Sequence, residues 1–273
     1  MALTTEEIMK IGLDLAKWNE VPYDSAVHVK GENIKKVLIS VDIGISELLL
    51  SKELGCDAVI AHHPIGVSYV NFHKVFDRHI DYMTESNIPK LTAEQHVAKF
   101  KERVELKTQS SIFLNVVSAA KILQIPLVNI HQPCDEYMRN MILDRISRGK
   151  QEYVYDILSS LQTIPEFKNS PTQILIPYGD STNKVSGFKV VIAAGTNGGY
   201  AIAKEYFTNG VSTVIYLHID PGELDKMRKE RIDGNLIILG HLAGDSIGLN
   251  ALATILEKRG IETIRLGLIS DNI

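Results

Sequence analysis

The stretch that decides the fold is Asp57-Ala58-Val59-Ile60-Ala61-His62-His63-Pro64. Its apolar residues predict a short buried strand, and the proline cannot continue that strand. The two histidines are therefore expected where the strand leaves the sheet. In open α/β proteins, ligands bind at this edge, outside the carboxyl ends of the strands.

His62 and His63 are candidate metal ligands, because neutral imidazole is the most common metal ligand in proteins. Successive strand residues point to opposite faces, so a turn at the strand end allows the two side chains to serve two neighbouring ions. Two other interpretations stay open at this point. The pair can be solvated at the surface, or it can form hydrogen bonds in the core.

The elements around this strand predict an α/β fold. Residues 37–41 are expected to form a buried strand, and residues 46–54 a helix that ends at Gly55. With the strand at 58–61 they make a βαβ unit, which predicts a parallel sheet with a right-handed crossover.

The same alternation of strands and helices is predicted for most of the chain. An N-terminal helix within residues 1–17 has Thr4 and Glu7 in the positions of a capping box. Further helices are predicted at residues 75–85, 92–106, 115–123, 136–147, 200–209, 223–230 and 246–259, and further strands at 127–130, 188–193, 213–217, 235–239 and 262–266.

The middle of the chain is rich in proline and glycine, which predicts a boundary between two lobes. We expect an N-terminal α/β lobe over residues 1–149 and a C-terminal α/β lobe over 188–273. The connecting segment, 150–187, is expected to contain a hairpin or two, for example around residues 173–176.

The composition excludes several classes of protein. The 273 residues are 45% hydrophobic and 23% charged, which is typical of a globular protein, and the net charge of −4 argues against binding to nucleic acid through phosphate neutralisation. No apolar run approaches the ~20 residues that a membrane span needs. Only two cysteines are present, Cys56 and Cys134, which favours a reducing cytoplasm.

Two more predicted strands end in a histidine that is followed four residues later by an aspartate. These pairs are His131 with Asp135 and His241 with Asp245. Residues four apart share a helix face, so each pair can direct both side chains into one cavity. Alternatively, either aspartate can be a helix cap or a first-turn acid that the helix dipole favours.

Three strand ends of the same kind supply four imidazoles and two carboxylates. That set suits two divalent ions of borderline character, such as zinc, manganese, iron or nickel. It contains too much nitrogen for a calcium or magnesium site.

A glycine-rich loop, Gly195-Thr196-Asn197-Gly198-Gly199, follows a predicted strand and opens a predicted helix. Exposed amides at Gly195, Gly198 and Gly199 are candidates for binding a phosphate group of a ligand. The loop matches neither the dinucleotide fingerprint nor the P-loop in full, and such turns often serve geometry alone.

These motifs, in this order and separation, resemble the Nif-three-like dinuclear metal-centre proteins, whose bacterial members are often described as type-2 GTP cyclohydrolase I. The resemblance covers nearly the whole chain, from the opening helix through Ala61-His62-His63-Pro64, residues 128–135 and the loop at 194–199 to Gly240-His241-x-x-x-Asp245.

The resemblance implies a two-lobe fold of mainly parallel βαβ units, with a metal site at the strand ends between the lobes. It implies a toroidal homo-hexamer and two divalent ions per subunit, with residue 245 bridging the ions. His131 is implied to lie behind the ligands or to carry protons, and we assign it the catalytic role. The implied metal ligands are His62, His63, Asp135, His241 and Asp245.

The sequence departs from the family pattern in three places. The bridging acid is usually glutamate, whereas Asp245 is one methylene shorter, and Gln132-Pro133-Cys134 replaces the usual Thr-Asn-Leu. Tyr216-Leu217-His218 stands where many members have Thr-Gly-Glu, so a carboxylate is absent there. His218 can replace it at the edge of the site or be an ordinary surface residue.

Two functions follow as hypotheses. The first is a hydrolase that uses a metal-bridging water on a nucleotide-like or cyclic amide substrate, for which GTP cyclohydrolase is one example. The second is a non-catalytic metal-binding ring that acts as a regulatory, sensor or chaperone-type partner.

Overall fold

The structure is a computed structural model that describes residues 2–193 and 195–270. Met1, Ala194 and residues 271–273, which belong to the predicted lobes, lie outside the described residues. The described strands are β1 (Ala26–Val29), β2 (Lys36–Ser40), β3 (Ala58–Ala61), β4 (Leu127–Asn129), β5 (Leu175–Tyr178), β6 (Phe188–Val190), β7 (Thr213–Tyr216), β8 (Asn235–Ile238) and β9 (Glu262–Leu266).

Helices connect most of these strands. The described helices are α1 (Thr5–Ala16), α2 (Ile45–Glu53), α3 (Gly66–Val70), α4 (Arg78–Thr84), α5 (Lys90–Thr108), α6 (Asn115–Leu123), α7 (Gln132–Arg148), α8 (Val154–Leu161), α9 (Pro165–Lys168), α10 (Gly199–Thr208), α11 (Pro221–Glu230) and α12 (His241–Lys258). A 3-10 helix at Phe72–Asp77 lies between α3 and α4.

The chain divides into two compact units. The first contains residues 1–75, 102–137 and 245–268, and the second contains residues 76–101, 138–244 and 269–273. Each unit is therefore discontinuous in sequence, unlike the continuous lobes predicted with boundaries at 149/150 and 187/188. The physical reason in the first unit is that β9, near the C-terminus, pairs with β2 along its whole length.

The sheet of the first unit has the order β1-β4-β3-β2-β9, and every neighbouring pair except β1–β4 is parallel. The sheet of the second unit has the order β5-β8-β7-β6, with β5 antiparallel to the rest. The predicted α/β class with mainly parallel strands is confirmed. The segment around residues 173–176 differs from the predicted local hairpin, because β5 pairs with the distant strand β8.

The core of the first unit explains why the sequences of its central strands are continuous apolar runs. Val37 and Ile39 pack into a cluster with residues of α1 and α12, whereas Leu38 packs on the other face with residues of α2 and α6. A strand covered on both faces needs apolar residues at every position. This layering holds the carboxyl ends of β3 and β4 side by side.

Candidate metal centre

The ends of two parallel strands place the histidines of the first unit. His62 follows β3, and its N–H still donates to the carbonyl of Ser40 on β2 (3.0 Å). His131 follows β4, the parallel neighbour of β3, and α7 begins at the next residue. The histidines therefore meet at one edge of the sheet, with Asp135 in the first turn of α7.

A close approach of α12 to α7 brings the second carboxylate to the same place. A Cβ atom at Gly248 would lie only 2.5 Å from the backbone oxygen of Cys134, so glycine allows the two backbones to touch. Asp245 lies one turn before Gly248, and Asp135 follows Cys134 directly. Both carboxylates are consequently next to His62.

The separations between these side chains are those of ligands around a shared cation. Nε2 of His62 lies 3.2 Å from Oδ1 of Asp135 and 3.6 Å from Oδ1 of Asp245. Nε2 of His63 lies 3.3 Å from Oδ2 of Asp245. Two ligand atoms at tetrahedral positions about 2.0–2.1 Å from a zinc ion are themselves about 3.3–3.4 Å apart.

Each of the three imidazoles has an oxygen acceptor behind it. The Nδ1 atom lies 3.1 Å from the carbonyl oxygen of Ile130 for His62, 2.8 Å from Oδ1 of Asp42 for His63, and 2.7 Å from Oδ2 of Asp24 for His131. An Nδ1–H group that donates to such an acceptor leaves the lone pair on Nε2. Metal-binding histidines are oriented in this way.

Two buried residues of the cluster, His62 and Asp135, direct atoms inward that make no hydrogen bond among the described residues. His62 is fully buried and Asp135 is 1% exposed. Within the described part of the chain, neither Nε2 of His62 nor either carboxylate oxygen of Asp135 makes a hydrogen bond. A buried carboxylate without compensation is costly, so this donor set fits a bound cation.

The electrostatics of the cluster follow from burial and from the two carboxylates. Burial disfavours the charged form of His62, but Asp135 and Asp245 overcome this effect and raise its pKa well above the ordinary value. The pKa of His63 is also raised, because its bond to Asp245 outweighs its burial. A proton on His62 thus takes the place of positive charge that a metal would supply.

Burial acts in opposite directions on the pair behind the cluster. It raises the pKa of Asp24 to about 7 and lowers that of His131 to about 3. Both shifts favour the uncharged forms of Asp24 and His131, because burial penalises charge.

The structure brings together five of the predicted residues in the first unit. One nitrogen from each of His62, His63 and His131 lies within 4.8 Å of the other two, and so do the ligand atoms of His62, Asp135 and Asp245. These residues are now placed, and their roles as ligands or catalyst stay predictions.

His241 begins α12 and belongs to the second unit, one turn before Asp245 on the same helix. Its ring lies 4.8 Å from that of His218, which follows β7, and Nδ1 of His218 lies 3.3 Å from the side-chain nitrogen of Asn197. The role of His241 as a metal ligand stays a prediction.

Sequence reasoning did not single out Asp24 and Asp42, which lie behind His131 and His63. Asp42 comes two residues after the end of β2, and His62 comes directly after β3. This shared place at the sheet edge is a signal that could have identified Asp42. Asp24 precedes β1 and is 107 residues from its partner His131, so no local pattern marks it.

The glycine loop opens α10 in the second unit, with Gly198 as the N-cap and Gly195 at a positive φ of 65°. The N–H of Gly199 donates to Oδ1 of Asn197 (2.9 Å), and that of Tyr200 donates to Oε2 of Glu223 (3.1 Å). The amides of Gly199 and Tyr200 thus already have acceptors, one of them a carboxylate. The phosphate role of the loop stays a prediction, and this bonding does not favour it.

None of the helices in the described ranges is both long and apolar enough to cross a membrane. No protein-family model matches the chain. No curated protein matches it either.

Solved structures give a clear match. A NIF3 superfamily protein from Sphaerobacter thermophilus is 40% identical over 98% of this chain and 99% of that chain, with a TM-score of 0.94. Reduced HcgD from Methanocaldococcus jannaschii has 12% identity, coverage of 97% and 98%, and a TM-score of 0.59. A Bacillus cereus protein related to NIF3 has 10% identity, coverage of 99% and 98%, and a TM-score of 0.54.

The two distant structures share the fold alone. The Sphaerobacter match extends over both units at a level of identity that establishes the family and confirms the resemblance seen in the sequence. The chain belongs to the NIF3 superfamily.

Proposed function

We propose that this protein is a hydrolase that depends on two divalent metal ions and acts on a nucleotide-like or cyclic amide substrate. One observation carries the proposal. The two oxygens of the Asp245 carboxylate face different histidines, Oδ1 towards His62 and Oδ2 towards His63. A carboxylate placed in this way can bridge two ions.

Each ion has its own set of ligands in this proposal. His62, Asp135 and Asp245 would hold the inner ion, and His63 and Asp245 would hold the outer ion, with His241 as its further predicted ligand. Imidazole and carboxylate ligands suit zinc, manganese, iron or nickel. When bound, two ions about 3.5–4 Å apart lower the pKa of a shared water molecule and polarise a phosphoryl or carbonyl oxygen.

The chain's own residues give the site an inner and an outer side. His62 and Asp135 are buried and keep solvent from the inner side, which strengthens electrostatic interactions there. His63 is 26% exposed, and Asp42 behind it is 85% exposed. A substrate therefore approaches from the side of His63.

Turnover by metal-loaded protein tests the proposal. Purified protein is loaded separately with zinc, manganese, iron or nickel and assayed on phosphodiesters, cyclic amides and nucleoside triphosphates, including GTP. We expect turnover of at least one class, with its loss in the double variant His62→Ala, His63→Ala. The matched control is His73→Ala, His96→Ala, which removes two histidines outside the cluster and is expected to keep activity.

Turnover that survives the loss of His62 and His63 would contradict the proposal. The second candidate is a metal-binding ring without turnover, and the burial of His62, Asp135 and Asp245 favours it, because closed sites are typical of structural metals. Tight, reversible metal uptake with no turnover of any substrate would select this candidate.

We also propose that the protein assembles as a toroidal homo-hexamer in the cytoplasm. Exposed apolar side chains on adjacent helices support the assembly: Leu49 on α2 is 51% exposed and Ile122 on α6 is 81% exposed. Two free thiols, Cys56 and Cys134, fit a reducing compartment. Light scattering is expected to give the mass of six chains, and the mass of one chain would contradict the assembly.

A further inference from the structure

His131 faces the same cluster as the proposed ligands. Its Nε2 lies 3.5 Å from Oδ2 of Asp135, and its ring centroid lies 4.7 Å from that of His62 and 5.7 Å from that of His63. The carboxylate of Asp135 thus divides its oxygens as Asp245 does, with Oδ1 towards His62 and Oδ2 towards His131.

Asp24 holds this imidazole from behind. Its Oδ2 lies 2.7 Å from Nδ1 of His131, and Asp24 is fully buried. Ser25 accepts a hydrogen bond from the backbone N–H of His131 (2.9 Å), and the side-chain nitrogen of Asn129 donates to the carbonyl of Asp24 (2.7 Å). Both the ring and the backbone of His131 are therefore fixed.

A residue held in this way is poorly suited to carry protons to solvent. His131 is only 3% exposed, and the ring of Phe72 covers it with a centroid distance of 5.6 Å. A side chain that exchanges protons with bulk water needs contact with solvent, and burial and the Phe72 ring limit that contact at His131. A metal ligand needs the opposite, a fixed ring with its lone pair directed inward.

We propose that His131 is a ligand of the inner ion through Nε2, and that Asp24 is the positioning residue that fixes its ring and tautomer. This inference rests on the metal site of the proposed function and replaces the catalytic role that the sequence suggests for His131. The inner ion then has four ligand residues: His62, His131, Asp135 and Asp245.

Four protein ligands would leave the inner ion only a fifth position, for the water that both ions share, so a substrate would not bind to it directly. The outer ion, next to the partly exposed His63, keeps an open position. The two ions consequently have different tasks. The inner ion holds α7, α12 and the strand ends together, and the outer ion meets the substrate.

Zinc titration of the metal-stripped, full-length protein tests the inference by calorimetry. The variant His131→Asn removes Nε2 but keeps a side-chain nitrogen that can still reach Asp24. We expect it to lower the zinc affinity of the tighter-binding sites by about 10–100-fold, with a much smaller effect on the weaker-binding sites. Asp24→Asn is expected to weaken the same class by a similar factor, because the amide can donate to Nδ1 and so move the ring proton to Nε2.

The matched control is Asp57→Asn. The carboxylate of Asp57, just before β3, accepts from the backbone N–H groups of Lys35 and Lys36 at the start of β2. This variant is expected to leave both zinc affinities unchanged. Wild-type affinity at both classes in His131→Asn would overturn the inference. If His62→Ala also leaves both classes unchanged, the metal site itself fails, so the two failures are distinguishable.

A measurement on the wild-type protein does not depend on how the variants fold. In protein that contains ¹⁵N-labelled histidine and is loaded with ¹¹³Cd, we expect the Nε2 resonance of His131 to be split by direct coupling to cadmium. A His131 resonance without this coupling, in the presence of coupled signals from His62 and His63, would overturn the inference.

Discussion

Gly248 of α12 lies directly against the backbone of Cys134 of α7, where an added Cβ would come within 2.5 Å of the carbonyl oxygen and 2.8 Å of the Cys134 Cβ. A backbone oxygen cannot move away as a flexible side chain can. Gly248→Ala must therefore separate the two helices that carry Asp135 and Asp245. We expect the free energy of unfolding to fall by about 1–3 kcal/mol, together with weaker zinc binding.

Chemical denaturation and zinc titration measure these two effects. Gly187→Ala is the matched control, because its added Cβ would lie 3.8 Å from the nearest atom, the oxygen of Gly210, in ordinary contact. Zinc affinity at the wild-type level in Gly248→Ala would show that the helix contact does not set the position of the carboxylates.

Metal affinity is expected to rise with pH. The raised pKa of His62, which its two carboxylate neighbours maintain against burial, keeps this histidine protonated near neutral pH in the metal-free protein. A metal ion must displace that proton, so the affinity should rise by about tenfold per pH unit below the raised pKa and level off above it. Competition titrations at several pH values test this, and a flat profile would exclude His62 as a ligand.

The same pKa predicts how the stability of the metal-free protein changes. A histidine whose pKa is higher in the folded than in the unfolded state stabilises the fold fully below about pH 6.5. This contribution is lost as the pH rises through the folded value. Denaturation midpoints of metal-stripped protein should therefore decrease over that range, whereas saturating zinc should remove the decrease. An increase with pH in the stripped protein would contradict the raised pKa of His62.

Asp245→Asn should reduce the number of bound ions from two to one. The amide keeps one acceptor oxygen, but its nitrogen cannot serve as the second ligand of a bridge. Elemental analysis after dialysis against trace zinc measures the stoichiometry. Asp225→Asn, which changes a side chain that is 61% exposed, is the control and should bind two ions. Two retained ions in Asp245→Asn would rule out the bridge.

The cap of α1 offers a change that should affect the fold and leave the metal site intact. Oγ1 of Thr4 accepts from the N–H of Glu7 (3.1 Å), and Oε2 of Glu7 accepts from the N–H of Thr4 (2.7 Å). Thr4→Ala is expected to lower the free energy of unfolding by about 1 kcal/mol with unchanged zinc stoichiometry. Glu7→Gln keeps an acceptor and should cost much less; an equal loss in both would argue against the reciprocal cap.

The local sequence pattern was sufficient to predict the central helices and strands of the fold. The predicted bounds of α6 at residues 115–123 and of β9 at 262–266 agree with the structure. The missed strand β1 is short and half-buried throughout, so it lacks the apolar run that marked β2 and β3. The place of β9 beside β2 was also beyond prediction, because it depends on a pairing between residues more than 200 positions apart.

Prediction of the site had the same limit as prediction of the fold, because only residues marked by a local pattern could be found. His62, His63 and His131 could be found because each follows an apolar strand, and Asp135 and Asp245 because each lies one helical turn after a histidine. Asp24 could not be found, since its partner is distant in sequence and nothing nearby marks it. The starts of α7 and α12 were predicted at residues 136 and 246, several residues late, because histidine, proline and glycine there obscure the helical periodicity.

The pairing of β9 with β2 also sets an order of events during synthesis. His62 and His63 leave the ribosome early, but Asp245 and the strand that completes the sheet emerge some 180 to 200 residues later. During that interval the nascent chain carries two predicted metal ligands, His62 and His63, without the Asp245 carboxylate. Loading of the proposed metal site must wait for Asp245, and until β9 follows it the sheet edge at β2 is open to pairing with other chains.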